Sequence, residues 1–283
     1  MRQLQEIADE QGSMDTIVQL TNAFEGLASM RIAGIKAQVM QAQQFFQELW
    51  QIYRQLRVDS LFRFGRSTDE KVSDKTLFIL ITAEGGFSGD IDHRLVDMVI
   101  KEYDPEKQDI IVIGYHGSLL LRQRGIKITK YYKMPMHDQN INVDPLIMHM
   151  RQYPQTVTFY QSYVSLMTQD VKRIEMSSAV QAEGKNVAKS DDVINEATYI
   201  FEPDAFEVVA HLERSMLQIA LAQLIFDSKL AQYASRFRAM SVAKDRATDS
   251  ATELSLLYRR TKREFRDERL KEIINGMKKA GIT

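Results

Sequence analysis

The residues able to do acid–base work near neutral pH are five histidines: His93, His116, His137, His149 and His211. None stands in H-x-x-x-H or H-E-x-x-H spacing, and the chain has no cysteine to complete a zinc set or to act as a thiolate nucleophile. His116, beside Gly117, has the chemistry of a general base, but the sequence marks no Ser or Asp partner for it and contains no G-x-S-x-G elbow. The neighbouring carboxylates Asp191 and Asp192 lie in a polar stretch and read as solvated. The expectation is a chain with no catalytic residues, no metal ligands and no bound cofactor.

One turn deserves weighing as a phosphate cradle. Glu84-Gly85-Gly86-Phe87-Ser88-Gly89 follows an apolar run and precedes a helical one. Glycine-rich turns in that place can present backbone N–H groups to an anion at a helix N-terminus. The nucleotide fingerprints are missing, since the turn fits neither G-x-x-x-x-G-K-[ST] nor G-x-G-x-x-G. A tight strand-to-helix turn that needs positive φ is the simpler reading.

Charge points elsewhere. Between Arg236 and Lys279 there are 13 Lys/Arg against 7 Asp/Glu, a local net of +6 in a chain whose total is -1. Arg259, Arg260, Lys262, Arg263, Arg266 and Arg269 fall within 11 residues. A solvated helix face would be eased by i,i+4 pairs such as Arg260 with Glu264. Lys262 and Arg266, however, are of like sign and disfavour a lone helix. An acidic protein partner opposite the cluster explains it better. Nucleic acid is disfavoured, because the chain as a whole is neutral.

The element carrying that cluster is unusual. From residue 204 to 283 there is no proline, and the only glycines are Gly276 and Gly281. Proline costs about 3 kcal/mol inside a helix and glycine about 1 kcal/mol. An uninterrupted helix of roughly 70 residues would extend on the order of 100 Å, far beyond the reach of one small domain. Ala243, Ala247, Ala251, Leu254, Tyr258, Thr261 and Phe265 recur at spacings of 3 and 4 and predict a seam facing another helix. The first 60 residues also read as helix. Met14, Ile17, Thr21, Phe24, Ala28, Ile35, Ala42, Phe45, Leu49, Ile52 and Leu56 form an imperfect seam, with Gly12 as a possible bend and Gly26 and Gly34 as weak points. Two terminal helices with seams predict an antiparallel pair, and any part of the tail that outruns its partner projects alone.

The middle alternates strand and helix. Residues 76–82 (TLFILIT), 109–113 (DIIVI), 126–131 and 156–163 read as strands. Residues 90–103, 116–124 and 143–152 read as helices. Residues 180–195 read as a polar loop or hairpin link, and 197–201 (ATYIF) as a last strand. Such alternation predicts a parallel or mostly parallel sheet with helices packed on it. The predicted fold is therefore α/β: a long antiparallel coiled coil of the N- and C-terminal helices with an inserted Rossmann-like domain. The expected partition is 1–60 for the first helix, 70–203 for the α/β domain and 204–283 for the second helix.

At 283 residues, with 44% hydrophobic and 27% charged content, the composition is that of an ordinary globular protein. The N-terminal segment is polar and has no signal-peptide core, and no window approaches 18 consecutive apolar residues.

Several stretches together resemble the gamma subunit of F-type ATP synthases. Ser235-Arg236-Phe237, Ala239-Met240, residues 254–258 (LSLLY) and Leu270-Lys271-Glu272-Ile273 follow that family's C-terminal pattern without gaps. Residues 20–30 (LTNAFEGLASM) are similar to its N-terminal I-T-K-A-M-x-M-V-A-A-S. Residues 81–92 (ITAEGGFSGDID) are similar to I-T-S-D-x-G-L-C-G-G-L-N. Residues 113–125 (IGYHGSLLLRQRG) are similar to I-G-x-K-G-x-x-x-x-x-R-G, and 199–203 (YIFEP) to Y-x-Y/F-E-P. The order and span of the matches cover nearly the whole chain.

This resemblance implies a non-catalytic central-stalk rotor. Its coiled coil would turn inside a hexamer of alpha and beta subunits. Its α/β domain would meet an epsilon-type subunit and the membrane rotor ring of c subunits. Ion flow through the ring would thereby be coupled to ATP synthesis or hydrolysis. It also implies a peripheral membrane protein on the cytoplasmic side. Carried over by position, Arg236 matches the arginine after the family's serine, and Glu272 matches the acid of the last motif. Arg263 stands at a family glutamine, Asp267 at a threonine, Phe24 at the first methionine of the N-terminal pattern and Asn22 at the preceding lysine. With the basic residues Arg259, Arg260 and Arg266 these are the expected subunit contacts. Glu6, Asp9, Glu10 and Asp15 occupy a region that is basic in the family. The other readings are a coiled-coil scaffold that recruits another acidic assembly, and a small-molecule enzyme built on the α/β domain.

Overall fold

The computed structural model describes residues 2–55, 73–136, 141–176, 202 and 205–279. The link expected at 180–195 and the strand expected at 197–201 lie outside the described residues. In chain order the elements are α1 (Arg2–Gln55), β1 (Thr76–Ile81), α2 (Ile91–Glu102), β2 (Gln108–Ile113) and α3 (Tyr115–Gln123). They continue with β3 (Lys130–Tyr132), α4 (Asp144–Met150), β4 (Gln155–Tyr163), β5 (Gln169–Glu175) and α5 (Ala205–Lys279). The long terminal helices are as expected: α1 passes through Gly12, Gly26 and Gly34, and α5 runs for 75 residues. Gly12 therefore marks no break.

By internal contacts the chain forms two compact units. One comprises Ala28–Arg236; the other comprises Met1–Leu27 with Phe237–Thr283.

The first unit is built on a five-stranded sheet of order β3-β2-β1-β4-β5. β1 pairs in parallel with β2 and with β4, and β2 in parallel with β3. β4 pairs antiparallel with β5. Strand alternation sends successive side chains to opposite faces. Leu77, Ile79, Ile81, Ile111 and Ile113 face one side. There they pack with Leu146, Ile147 and Met150 of α4 and with Met216, Leu221 and Ile225 of α5. Phe78, Leu80, Ile110, Val112 and Phe159 face the other side, against Leu95, Val96 and Val99 of α2 and Leu121 of α3. Both faces are covered, which is why these strands read as continuous apolar runs.

Two departures from the sequence reading stand out. β5 is not foreshadowed, because its sequence, QDVKRIE, is mostly charged and lacks an apolar run. β3 is only three residues, and begins four residues later than the strand expected at 126–131. Ile126 and Ile128 pack against the α2/α3 face of the core instead of joining the ladder, and ladder entry is prepared by the Thr129 N–H bonding Ile110 O at 2.8 Å. In the same unit α1 meets α5: fully buried Ile35 packs with Phe226 and Leu230.

The second unit is a helix pair. Glu25 Oε2 accepts from Lys244 Nζ at 2.7 Å. Glu10 and Met14 lie across from Ser250, Leu254 and Arg260. Descending numbers on α1 thus meet ascending numbers on α5, as an antiparallel pair requires. The α5 seam is largely the expected one: Ala247 is buried and Ala243, Ala251, Leu254, Tyr258 and Thr261 are half-buried. Phe265 is exposed.

The α1 seam needs correction. Ile7, Met14, Thr21, Ala28 and Ile35 follow one another at heptad intervals, all buried except half-buried Met14; half-buried Leu4, Gln11, Val18, Glu25 and Ile32 lie three residues before each. Ile17 and Phe24, expected on the seam, are 39% and 37% exposed. Apolarity alone does not choose between adjacent Ile17 and Val18. Glu25 takes its seam place because Lys244 neutralises it there.

Candidate subunit-contact surface

The site residues expected from sequence divide between a buried attachment and an exposed helix. Within the α/β unit, β1 lies between β2 and β4, so the chain winds in opposite directions from it. The crevice beyond the carboxyl ends of β1 and β4 is where doubly wound sheets bind ligands. Here that crevice holds side chains of the chain's own helix. Gln161, at the end of β4, accepts from Ser228 Oγ, and from Gln232 Nε2 at 2.9 Å; both donors are on α5. Ser235 Oγ donates to the backbone oxygen of Ser88 at 2.7 Å. These polar groups are all nearly or fully buried.

The glycine-rich turn is one wall of this crevice. Its positive φ values fall on Phe87 (+64°) and Gly89 (+66°), not on Gly85 or Gly86. It is the tight turn of the simpler reading. Ser88 is buried, with its hydroxyl 3.4 Å from the Asp92 carboxylate.

His116, the one candidate base, has a partner that the sequence reading lacked: its Nδ1 is 2.7 Å from Asp92 Oδ2. The hydrogen bond to Asp92 raises the His116 pKa above its ordinary value, against an opposing effect of burial. A signal for this contact was available. Asp92 follows β1 and His116 follows β2, and adjacent parallel strands bring such residues to the same edge. Asp92 is fully buried and engaged on both oxygens, so the pair serves the packing of the crevice. Nearby, Glu84 accepts from the backbone N–H groups of Tyr115 and Met134 and from the Tyr131 hydroxyl at 3.0 Å. Desolvation, and then that bond, push the Tyr131 hydroxyl up to about 12.

Arg236 closes the α5 part of this unit. It is half-buried, with its guanidinium carbon 5.6 Å from the Tyr233 ring centre, and burial lowers its pKa. The remaining expected residues are on the helix pair. Asn22 and Phe24 are exposed on α1; Arg259, Arg260, Arg263, Arg266, Asp267 and Glu272 are exposed on α5. Among the described residues, no ion pair joins Arg260 to Glu264. Lys262 Nζ sits 5.5 Å from the Tyr258 ring centre. Every residue from 262 to 279 is exposed, including Leu270, Ile273 and Ile274, each at least half exposed. The tail carries its cations and apolar side chains outward together. Among the described residues no cluster of three His, Asp or Glu could hold a metal ion.

A folded domain whose crevice is filled by its own long helix, and a helix pair with an exposed basic end, define a structural subunit. The comparisons agree. A family model described as ATP synthase matches residues 3–279. The ATP synthase gamma chain of Mycoplasmoides gallisepticum is 23% identical, over 99% of this chain and 100% of that one. That of Alkaliphilus metalliredigens is 24% identical over 96% and 97% of the two chains. Among solved structures, a chain of the Tetrahymena thermophila mitochondrial ATP synthase central stalk and c-ring has TM-score 0.56 at 16% identity, covering 79% of this chain and 99% of that chain. A chain of the Euglena gracilis mitochondrial ATP synthase has TM-score 0.55 at 17% identity, covering 91% and 94%. The chain belongs to the ATP synthase gamma family, the non-catalytic central-stalk subunits of that rotary enzyme.

Proposed function

We propose that this chain is the axle that couples a membrane rotor ring of c subunits to a hexamer of alpha and beta subunits, with the α/β domain also meeting an epsilon-type subunit. Ion flow turns the axle during synthesis, and ATP hydrolysis turns it in reverse. The observation that carries the reading is the exposed run of α5 from 262 to 279, which presents cations and large apolar residues on one uninterrupted helix. Such a surface suits a sleeve of other subunits that is acidic at some contacts and apolar at others.

Residue by residue, Arg259, Arg260, Arg263, Arg266, Asp267 and Glu272 on α5, with Asn22 and Phe24 on α1, are the proposed contacts with the hexamer. Arg236 is proposed as a contact near the α/β domain. The partition into 1–60, 70–203 and 204–283 is the proposed functional division into first axle helix, ring-side domain and second axle helix. No helix among the described residues is long and apolar enough to cross a membrane. We place the chain at the cytoplasmic face, held there by its partners.

Reconstitution tests the reading. A complex assembled with the full chain should show ATPase activity coupled to ion pumping. A chain ending at residue 261 should fold but leave pumping uncoupled or the hexamer unassembled. Full coupling with the shortened chain would refute the assignment of the tail.

A further inference from the structure

A single buried carboxylate organises the crevice between the α/β domain and α5. Asp92 is fully buried. Its Oδ1 accepts from the Ala83 backbone N–H at 3.3 Å and from the Gln161 side-chain amide. Its Oδ2 faces His116 Nδ1 and the Ser88 hydroxyl. An ionised carboxylate only accepts hydrogen bonds. Gln161 must therefore turn its NH2 toward Asp92 and its oxygen toward α5, where Ser228 and Gln232 donate. The charge on Asp92 thus fixes the direction of the bonds that Gln161 makes with the long helix. An uncharged amide in its place would offer both a donor and an acceptor, and the order would be lost.

We propose that Asp92 and His116 form a pH-sensitive latch that holds the α5 segment from Ser228 to Ser235 on the α/β domain, tightest when His116 is protonated.

The groups facing His116 are few. α2 contributes Asp92 and the His93 ring, whose centre is 5.8 Å away. The β1–α2 turn contributes Glu84, bonded to the backbone N–H next to His116. α5 contributes Arg236, whose charge interacts with Asp92. Thr82, just beyond β1, is uncharged and accepts from the N–H of Gly117, next to His116. Among the charged groups of the described residues, it is Asp92 that hydrogen-bonds the ring, at 2.7 Å.

The sign follows from the bond. Protonation places a cation against the carboxylate, and charge-assisted hydrogen bonds are roughly twice as strong as neutral ones. The folded-state pKa of His116 is raised by that bond. The stabilisation is therefore fully present below the unfolded-state pKa and is lost as pH rises through the folded-state value. A lysine would stay charged throughout this range.

Amide hydrogen exchange on the full chain tests the latch. Protection factors of α5 residues 228–235, corrected for intrinsic exchange, are compared between about pH 5.5 and about pH 8.5, with β1 as the internal reference. In the wild type, protection should fall at least about threefold with rising pH while β1 stays constant. His116→Lys should remove that pH dependence and keep protection high; His116→Gln should remove it and keep protection low. Asp92→Asn should lower protection at every pH, and if it does not fold the His116 pair of variants decides. A flat wild-type profile, a His116→Lys profile that falls like the wild type, or a parallel fall in β1 would overturn the proposal.

Discussion

Gly114 adopts φ +100° at the end of β2, and a β-carbon there would lie 2.1 Å from the Thr82 carbonyl oxygen. Gly117 is equally confined: its added β-carbon would meet the Thr82 side chain at 2.4 Å. Its N–H donates to Thr82 Oγ1 at 3.0 Å, and that hydroxyl is buried. These two glycines let α3 start directly against β1, which in turn brings His116 to Asp92. Gly114→Ala should cost about 2–4 kcal/mol, since it combines an unfavourable backbone conformation with overpacking. Thermal unfolding would measure the loss. Gly12→Ala, in the open on α1, should instead leave stability unchanged or raise it by up to about 1 kcal/mol. At this scale the sequence was partly legible. The glycines in IGYHG and the nearby Asp92 could be seen, but their meeting depends on β1 and β2 being neighbours, which no local spacing states. Gln161, Ser228 and Gln232 gave no signal at all, because a buried amide or hydroxyl looks like a surface one until its partner is known.

The two long helices were legible from missing breakers and recurring small residues, and the α5 seam from Ala243 to Thr261 followed directly. The α1 seam was legible only in half. Thr21, Ala28 and Ile35 of the expected seam are buried, whereas Ile7 was not among its residues, and Glu25 in the seam contradicts apolarity and depends on Lys244 across the pair. Ala247 is 6% exposed, in a stretch of α5 seam made of alanines. Ala247→Leu should therefore overpack the helix pair and destabilise it by about 1–3 kcal/mol, read as a lower denaturation midpoint. In the α/β unit, Ile35 is fully buried against Phe226 and Leu230. Ile35→Ala should cost about 2–5 kcal/mol, and its effect should add to that of Ala247→Leu because the two sites share no partner. β5 escaped notice for a different reason. An edge strand with charged outward residues, such as Lys172 and Arg173, carries no apolar run to announce it.

For the whole molecule, the sequence placed an α/β domain between two helices, and the order of its motifs pointed to the ATP synthase gamma family. The crevice at the carboxyl ends of β1 and β4, the place where such sheets hold ligands, is taken by Ser228, Gln232 and Ser235 of the chain's own helix. The exposed basic and apolar end of α5 is then the part with work left to do, and that work requires other subunits. Affinity purification of the intact chain from its native membranes, with identification of every co-purifying subunit, tests this most directly. Two larger nucleotide-binding subunits should be recovered stoichiometrically, with ATPase activity in the complex and none in the isolated chain. Recovery of the chain alone, or ATPase activity in the purified chain by itself, would contradict it.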